Sequence, residues 1–394
     1  MSDLRPRLLR RIAELEPEIA SVSRFIHSHP EAGFQERLCS AFLEAALRRQ
    51  GFQVERPLPR RLPTALRAWR KGGRPGPGIG FIAEYDALPG IGHGCGHNLI
   101  AAGSFGAAAA LAGLLGETGG SVWVFGTPAE ETGSAKVPML AAGLFRPVHA
   151  VLMAHPESFW LVNTGCLALD ALRFEFRGRA SHAAATPHEG RNALDAVIGL
   201  FNGVASLRQQ LKSDVRVHGI ITKGGSAPNV IPDLCEARFY VRAPRRSELD
   251  PVSARVTACA RGAALAAGCR LKATRFEPSL DDAVHSPALD AVLARNLRAL
   301  GVRGLAPRDP APGSADIGNV SRRIPTAYVY CAVAPRGLDL HTAEFARRCG
   351  GAAARRGLMQ AVRALALSGL DLLRDPALLR RARRELRRDL ARHG

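Results

Sequence analysis

A chain of 394 residues, 46% hydrophobic and 23% charged, has room for two sizeable cores and the balance of a soluble globular enzyme. Its formal charge of +19 raises nucleic-acid binding, yet lysine occurs only at Lys71, Lys136, Lys212, Lys223 and Lys272. The excess is therefore arginine spread along the chain, with no aromatic-basic motif beside it, which argues against a nucleic-acid partner. The longest weakly polar run, 99–116, is mostly alanine and glycine and reads as a buried helix, too short and too mildly apolar for a membrane span. The eight cysteines form no C-x-x-C pair, so reduced thiols in the cytoplasm are expected.

The N-terminus mixes charges with leucines at helical spacing and reads as an amphipathic helix, not a secretion signal. Helical patterns at 38–50, 98–116, 135–144 and 287–300 lie among apolar, β-branched stretches at 80–83, 121–125, 150–153 and 327–333. That alternation predicts an α/β domain built on a mostly parallel sheet covered on both faces. The middle of the chain reads differently: a strand at 167–176, a helix at 192–211, strands at 215–222 and 235–241, a helix at 248–267 and a strand at 270–276. This β-α-β-β-α-β order predicts a compact ferredoxin-like α+β unit inserted into the larger domain. The expected divisions are 1–166 and 279–394 for the two parts of the larger domain and 167–278 for the insert. The arginine-rich tail from Arg380 fits a solvated terminal helix.

Open parallel sheets place their sites at the carboxyl ends of strands. The stretch 84–98, E-Y-D-A-L-P-G-I-G-H-G-C-G-H-N, follows the first central strand and sets His93, Cys95 and His97 between glycines. Imidazole and thiolate are the donors a zinc-like cation prefers. After the second strand comes G-T-P-A-E-E, with adjacent Glu130 and Glu131; the third ends at His155, and the fourth is followed by a short loop holding His341. Four strands thus deliver Cys95, His97, Glu130, Glu131, His155 and His341 to one rim. A two-metal hydrolytic site needs this mixture, with one glutamate coordinating and its neighbour free to take a proton from water. Asp86 either orients a ligand or caps the turn before Pro89. His93 reads as a loop hydrogen-bonder, His27 and His29 either build the rim or bind substrate loosely, and Asp316 and Asn319 either line a pocket or cap a helix. No G-x-S-x-G elbow or H-E-x-x-H helix is present.

These motifs, with H-P-E-A-G-F-Q-E at His29, G-R-A-S-H-A-A at Gly178, S-A-P-N-V-I-P-D at Ser226 and G-S-A-D-I-G-N-V-S at Gly313, run in order over nearly the whole chain. On them the chain resembles the amidohydrolase branch of the aminoacylase/carboxypeptidase-type metallopeptidases, most of all the aminobenzoyl-glutamate hydrolase and β-alanyl-lysine dipeptidase group. The resemblance implies a metallopeptidase domain with an inserted lid and dimerisation domain, a homodimer, and two divalent metal ions, zinc or manganese. It implies Cys95, His97, Glu131, His155 and His341 as metal ligands and Glu130 as general base. His182 falls where the family uses a histidine that crosses the dimer interface, and Asn229 and Arg242 fall on positions that hold the substrate's amide and carboxylate. Gly94 replaces the alanine usual in that loop, a change expected to cost only rigidity. The expected function is metal-dependent hydrolysis of an amide bond in an N-acyl or aryl amino acid or a dipeptide. The alternative is a catalytically inactive paralogue with a binding or assembly role, against which the intact Glu130 and full ligand set argue.

Overall fold

The computed structural model describes residues 4–58, 62–162, 165–306 and 313–393. The chain divides into two compact units, one of Met1–Gly165 with Ala283–Arg392 and one centred on Cys166–Asp282.

The larger unit is built on a seven-stranded sheet. At its centre Ser121–Gly126, Gly78–Ala83, Ala150–Glu157 and Thr326–Ala332 run parallel, in that spatial order. The first three are buried along nearly their whole length, as strands covered on both faces must be. Short antiparallel strands finish the edges: Leu66–Lys71 and Gln53–Glu55 on one side, Leu161–Val162 on the other. The first of these, L-R-A-W-R-K, carries three cations and reads poorly as a strand. Pairing with Ser121–Gly126 decides it, helped by stacking of Trp69 on Trp123 at 5.4 Å.

The His97–Ala112 helix is buried on every side, as its alanine and glycine content requires. Small residues let its neighbours close in. A methyl group on Gly106 would lie 2.5 Å from Ile19 of the Leu4–Ser28 helix, and one on Gly103 would lie 3.2 Å from Leu358 of the Ala352–Arg374 helix. The tail helix, Pro376–His393, is not wholly solvated: Leu379, Ala382 and Leu386 form a buried stripe at helical spacing. Among the described residues no helix is long and apolar enough to cross a membrane.

The smaller unit is a four-stranded antiparallel sheet in the order Arg270–Arg275, Ala168–Arg177, Leu234–Ala243, Arg216–Lys223. Its helices Ala193–Arg208 and Arg246–Ala266 share a core with one face, through Phe174, Phe176, Phe239, Val197, Leu200 and Val256. Strand order and helix placement are those of the split βαβ arrangement. Asn192 caps the first helix, its side chain accepting the Leu194 amide at 2.9 Å.

Candidate functional site

The sheet delivers its chemistry at the carboxyl ends of the parallel strands. The His97–Ala112 helix begins at Gly96, whose φ of 75° is open to glycine and strained for other residues. A methyl group there would also lie 2.8 Å from Pro156, so Gly96 lets the Cys95 loop close onto the His155 strand. Cys95 Sγ then comes within 3.3 Å of His155 Nε2, and the His341 amide donates to the Gly94 carbonyl at 2.9 Å. At Gly94 a methyl group would press to 2.8 Å from Ile91 Cγ2. The absent side chain therefore makes room for Ile91, which is more than the loss of rigidity expected from sequence.

Three donor sets converge: Cys95, His97 and His155; Cys95, Glu131 and His341; His97, Glu130 and Glu131. Within each, the candidate ligand atoms lie within 4.8 Å of one another. All six rim residues expected from sequence are thus brought together. His155 lies within its strand rather than after it, because the strand continues to Glu157.

The two buried imidazoles are oriented by their second nitrogens. His97 Nδ1 donates to Asp86 Oδ1 at 2.9 Å, leaving Nε2 to face Glu84, Glu130 and Glu131 at 3.4, 3.9 and 4.0 Å. Asp86 therefore orients a candidate ligand, and its other oxygen accepts the Glu131 amide at 3.0 Å. His155 Nδ1 donates to the Pro156 carbonyl at 2.8 Å. Burial pushes His155 down to about 4 and keeps it neutral, the form that binds a cation.

Elsewhere the charges are poised for a cation. Burial disfavours a charged His97, but Asp86 and Cys95 outweigh it and hold its pKa well above the ordinary value. Burial, with Glu131 beside it, pushes the Cys95 thiol up. Burial, then the carboxylates of Glu84, Glu131 and Asp316, push Glu130 well above the usual carboxylate range. Glu84 Oε2, His97 Nε2 and Glu131 Oε1 are buried without a hydrogen-bond partner. Orphaned buried acceptors around a thiol and imidazoles fit a divalent metal: it would take a proton's place on His97 Nε2 and favour thiolate over thiol.

The adjacent-glutamate turn is held from behind by H-P-E-A-G-F-Q-E. Glu36, buried and pushed up to about 7 chiefly by that burial, accepts the Ala129 amide at 2.8 Å and the Thr64 hydroxyl at 2.6 Å. Gly33 is needed because any methyl group there would strike Thr132 Oγ1 at 2.3 Å. Three further histidines bond to backbone: His93 donates to the Ile26 carbonyl, His27 to that of Ala346 and His29 to that of Phe25, at 2.7–2.8 Å. Sequence reasoning missed Lys136, fully buried, with Nζ 2.6 Å from Glu84 and 2.5 Å from Asp316. Asp316 thus makes no side-chain cap at the Ile317–Ser321 helix but pairs with this lysine.

His182, Asn229 and Arg242 belong to the smaller unit. There the first two lie on segments bridged together: the Ala183 amide donates to the Asn229 carbonyl, and His182 pairs with Val230. His182 Nδ1 accepts the Ala184 and Ala185 amides at 3.2 and 3.1 Å, which places the proton of the neutral ring on Nε2. Arg242 projects beside Tyr240, its guanidinium carbon 5.6 Å from the ring centre.

Residues 80–347 match the profile of peptidase family M20/M25/M40. A Xaa-Arg dipeptidase of Mus musculus is 35% identical over 98% of this chain and 92% of its own length. One of the p-aminobenzoyl-glutamate hydrolase chains of Escherichia coli (strain K12) is 30% identical over 91% of this chain and 90% of its own length. A solved dinuclear metal-binding peptidase of Bacillus subtilis shares the fold, with a TM-score of 0.65 at 21% identity over 91% of this chain and 99% of that one. The chain is a member of peptidase family M20/M25/M40, a hydrolase of amide bonds.

Proposed function

We infer that this protein uses two divalent cations to hydrolyse the amide bond of a dipeptide or an N-acyl or N-aryl amino acid, releasing a free amino acid. The observation that carries the reading is the convergence of Cys95, His97, Glu131, His155 and His341, with buried acceptors facing one another and unused. The cysteine and histidines suit zinc, and the glutamates admit manganese as well. Bound there, the cations would lower the pKa of water and polarise the scissile carbonyl.

Glu130 takes the proton from water as general base and delivers it to the leaving nitrogen. His182, with Nε2–H free to donate, and Asn229 stabilise the oxyanion that develops on the amide. Arg242 selects the free carboxylate of the leaving amino acid through its planar fork of donors. The dipeptidase and the aminobenzoyl-glutamate hydrolase are named for different leaving residues, arginine and glutamate, which share an α-carboxylate.

In this reading the smaller unit is a lid and dimerisation domain, and His182 serves the partner's site in a homodimer. An exposed sheet edge, Arg216–Lys223, with Ile220 and Ile221 in water, supports an edge-to-edge contact between copies. Eight cysteines without a disulfide support a cytoplasmic location.

The test is hydrolysis by purified protein reconstituted with zinc or manganese, against Xaa-Arg dipeptides, β-alanyl dipeptides, aminobenzoyl-glutamate and N-acyl amino acids. Release of a free amino acid that a chelator abolishes is the expected result. Metal-loaded protein inert on every class would overturn it.

A further inference from the structure

Glu84 immediately follows the Gly78–Ala83 strand and points into the larger unit beside the rim, with 2% of its surface exposed. One oxygen, Oε1, is held 2.6 Å from Lys136 Nζ. Lys136 is fixed in turn by Asp316, which lies 2.5 Å from Nζ through one oxygen and accepts the Lys136 amide at 3.0 Å through the other. Burial works against the charge on Lys136, but Asp316, Glu84 and Glu130 outweigh it and hold its pKa above the ordinary lysine value. A buried ion cluster is costly to assemble and weak evidence for stability, so its geometry calls for another explanation.

The other oxygen, Oε2, accepts no hydrogen bond and lies 3.4 Å from His97 Nε2, the nitrogen left free when Asp86 takes Nδ1. Two donors each about 2.1 Å from one cation, at a tetrahedral angle, stand roughly 3.4 Å apart. The Glu84–His97 separation meets that spacing. It is also the 3.4 Å between Glu131 Oε1 and His341 Nε2, whereas Glu130 and Glu131 stand 3.9 and 4.0 Å from His97.

We propose that Glu84 is a further metal ligand, sharing with His97 one cation of the centre, while Lys136, itself fixed by Asp316, holds its other oxygen and fixes its direction. The proposal rests on the two-cation reading above. It gives the lysine a purpose: one buried positive charge offsets Glu84 or Asp316 and lets an extra carboxylate stand among Glu130 and Glu131.

The experiment is titration of the metal-stripped protein with cobalt(II), an open-shell cation that takes the same donors as zinc, followed by visible absorption and by competition with a chromophoric chelator. Wild type and Glu84→Gln are compared, the amide keeping the shape and an acceptor for Lys136. Glu84→Asp keeps the charge but retracts it by a methylene, and it replaces the glutamine variant if that variant's metal-free circular dichroism is not native. The proposal expects two cobalt ions on wild type. In the variant it expects one site weakened about 10- to 100-fold or more, with altered visible bands. Wild type binding two ions, with the folded variant matching it in affinity and spectrum, would overturn the role of Glu84 alone. Wild type binding no cobalt would overturn the two-cation reading and this proposal together.

Discussion

Asp170 in the smaller unit and Glu84 in the larger one are both buried carboxylates, and they differ in what their oxygens do. Asp170 accepts from Ser279 and Ser253 at 2.6 and 2.7 Å and from Arg246 and Arg275 at 3.1 and 3.3 Å, so both oxygens are engaged. Burial alone would raise its pKa, but the two serines and Arg246 bring it down to about 2. Glu84 has one oxygen paired and one turned, unbonded, toward an imidazole nitrogen. A complete network ties the sheet and the segment after it into one unit. An incomplete one, at the ends of parallel strands and among further orphaned acceptors, is a place made for something else to bind.

The contrast can be broken most severely at Glu130. Glu130→Gln is expected to lower kcat by about 10²- to 10⁴-fold while metal content stays at the wild-type level, measured by steady-state kinetics and elemental analysis on the same sample. Retained turnover would remove Glu130 as the base. Asp86→Asn should weaken metal binding about 10- to 100-fold, because His97 loses the carboxylate that orients it; chelator competition reads this directly. Asp170→Asn should leave metal affinity untouched, which is the sharper half of the comparison.

Its cost falls on folding and is linked to pH. Because the folded pKa of Asp170 lies below the ordinary value, its contribution is complete above about pH 4 and is lost as pH falls through about 2. A shift of this size corresponds to about 2 kcal/mol, roughly 30-fold in the folding equilibrium. Denaturant melts of wild type and Asp170→Asn between pH 6 and pH 2, where the two should converge, check it. The smallest effect is expected at Arg242. Arg242→Lys should raise KM about tenfold with less change in kcat, since lysine keeps the charge but not the bidentate fork. A drop confined to kcat would argue that Arg242 does not hold the ground-state carboxylate.

Much of this was legible in the sequence. Strand and helix alternation marked the parallel core. The six rim residues could be read because in open sheets chemistry collects at strand ends, and each followed or ended a β-rich stretch. Asp86 stayed ambiguous, since a carboxylate three residues after a strand suits a turn as well as a ligand; only the 2.9 Å contact to His97 decides. Lys136 was illegible for a different reason. It sits in the apolar run A-K-V-P-M-L, and nothing local says that its charge is met by Glu84 and Asp316, 52 and 180 residues away in sequence. The Leu66–Lys71 strand was likewise set by its neighbour rather than by its own composition.

The most direct test of the whole account is the rate of amide hydrolysis measured against the number of cations bound per chain, counted by elemental analysis as stripped protein is reloaded. The account predicts negligible rate in the stripped protein, rising as cations fill two sites per chain and falling again on chelation. Full-rate hydrolysis by protein that holds no cation would contradict it.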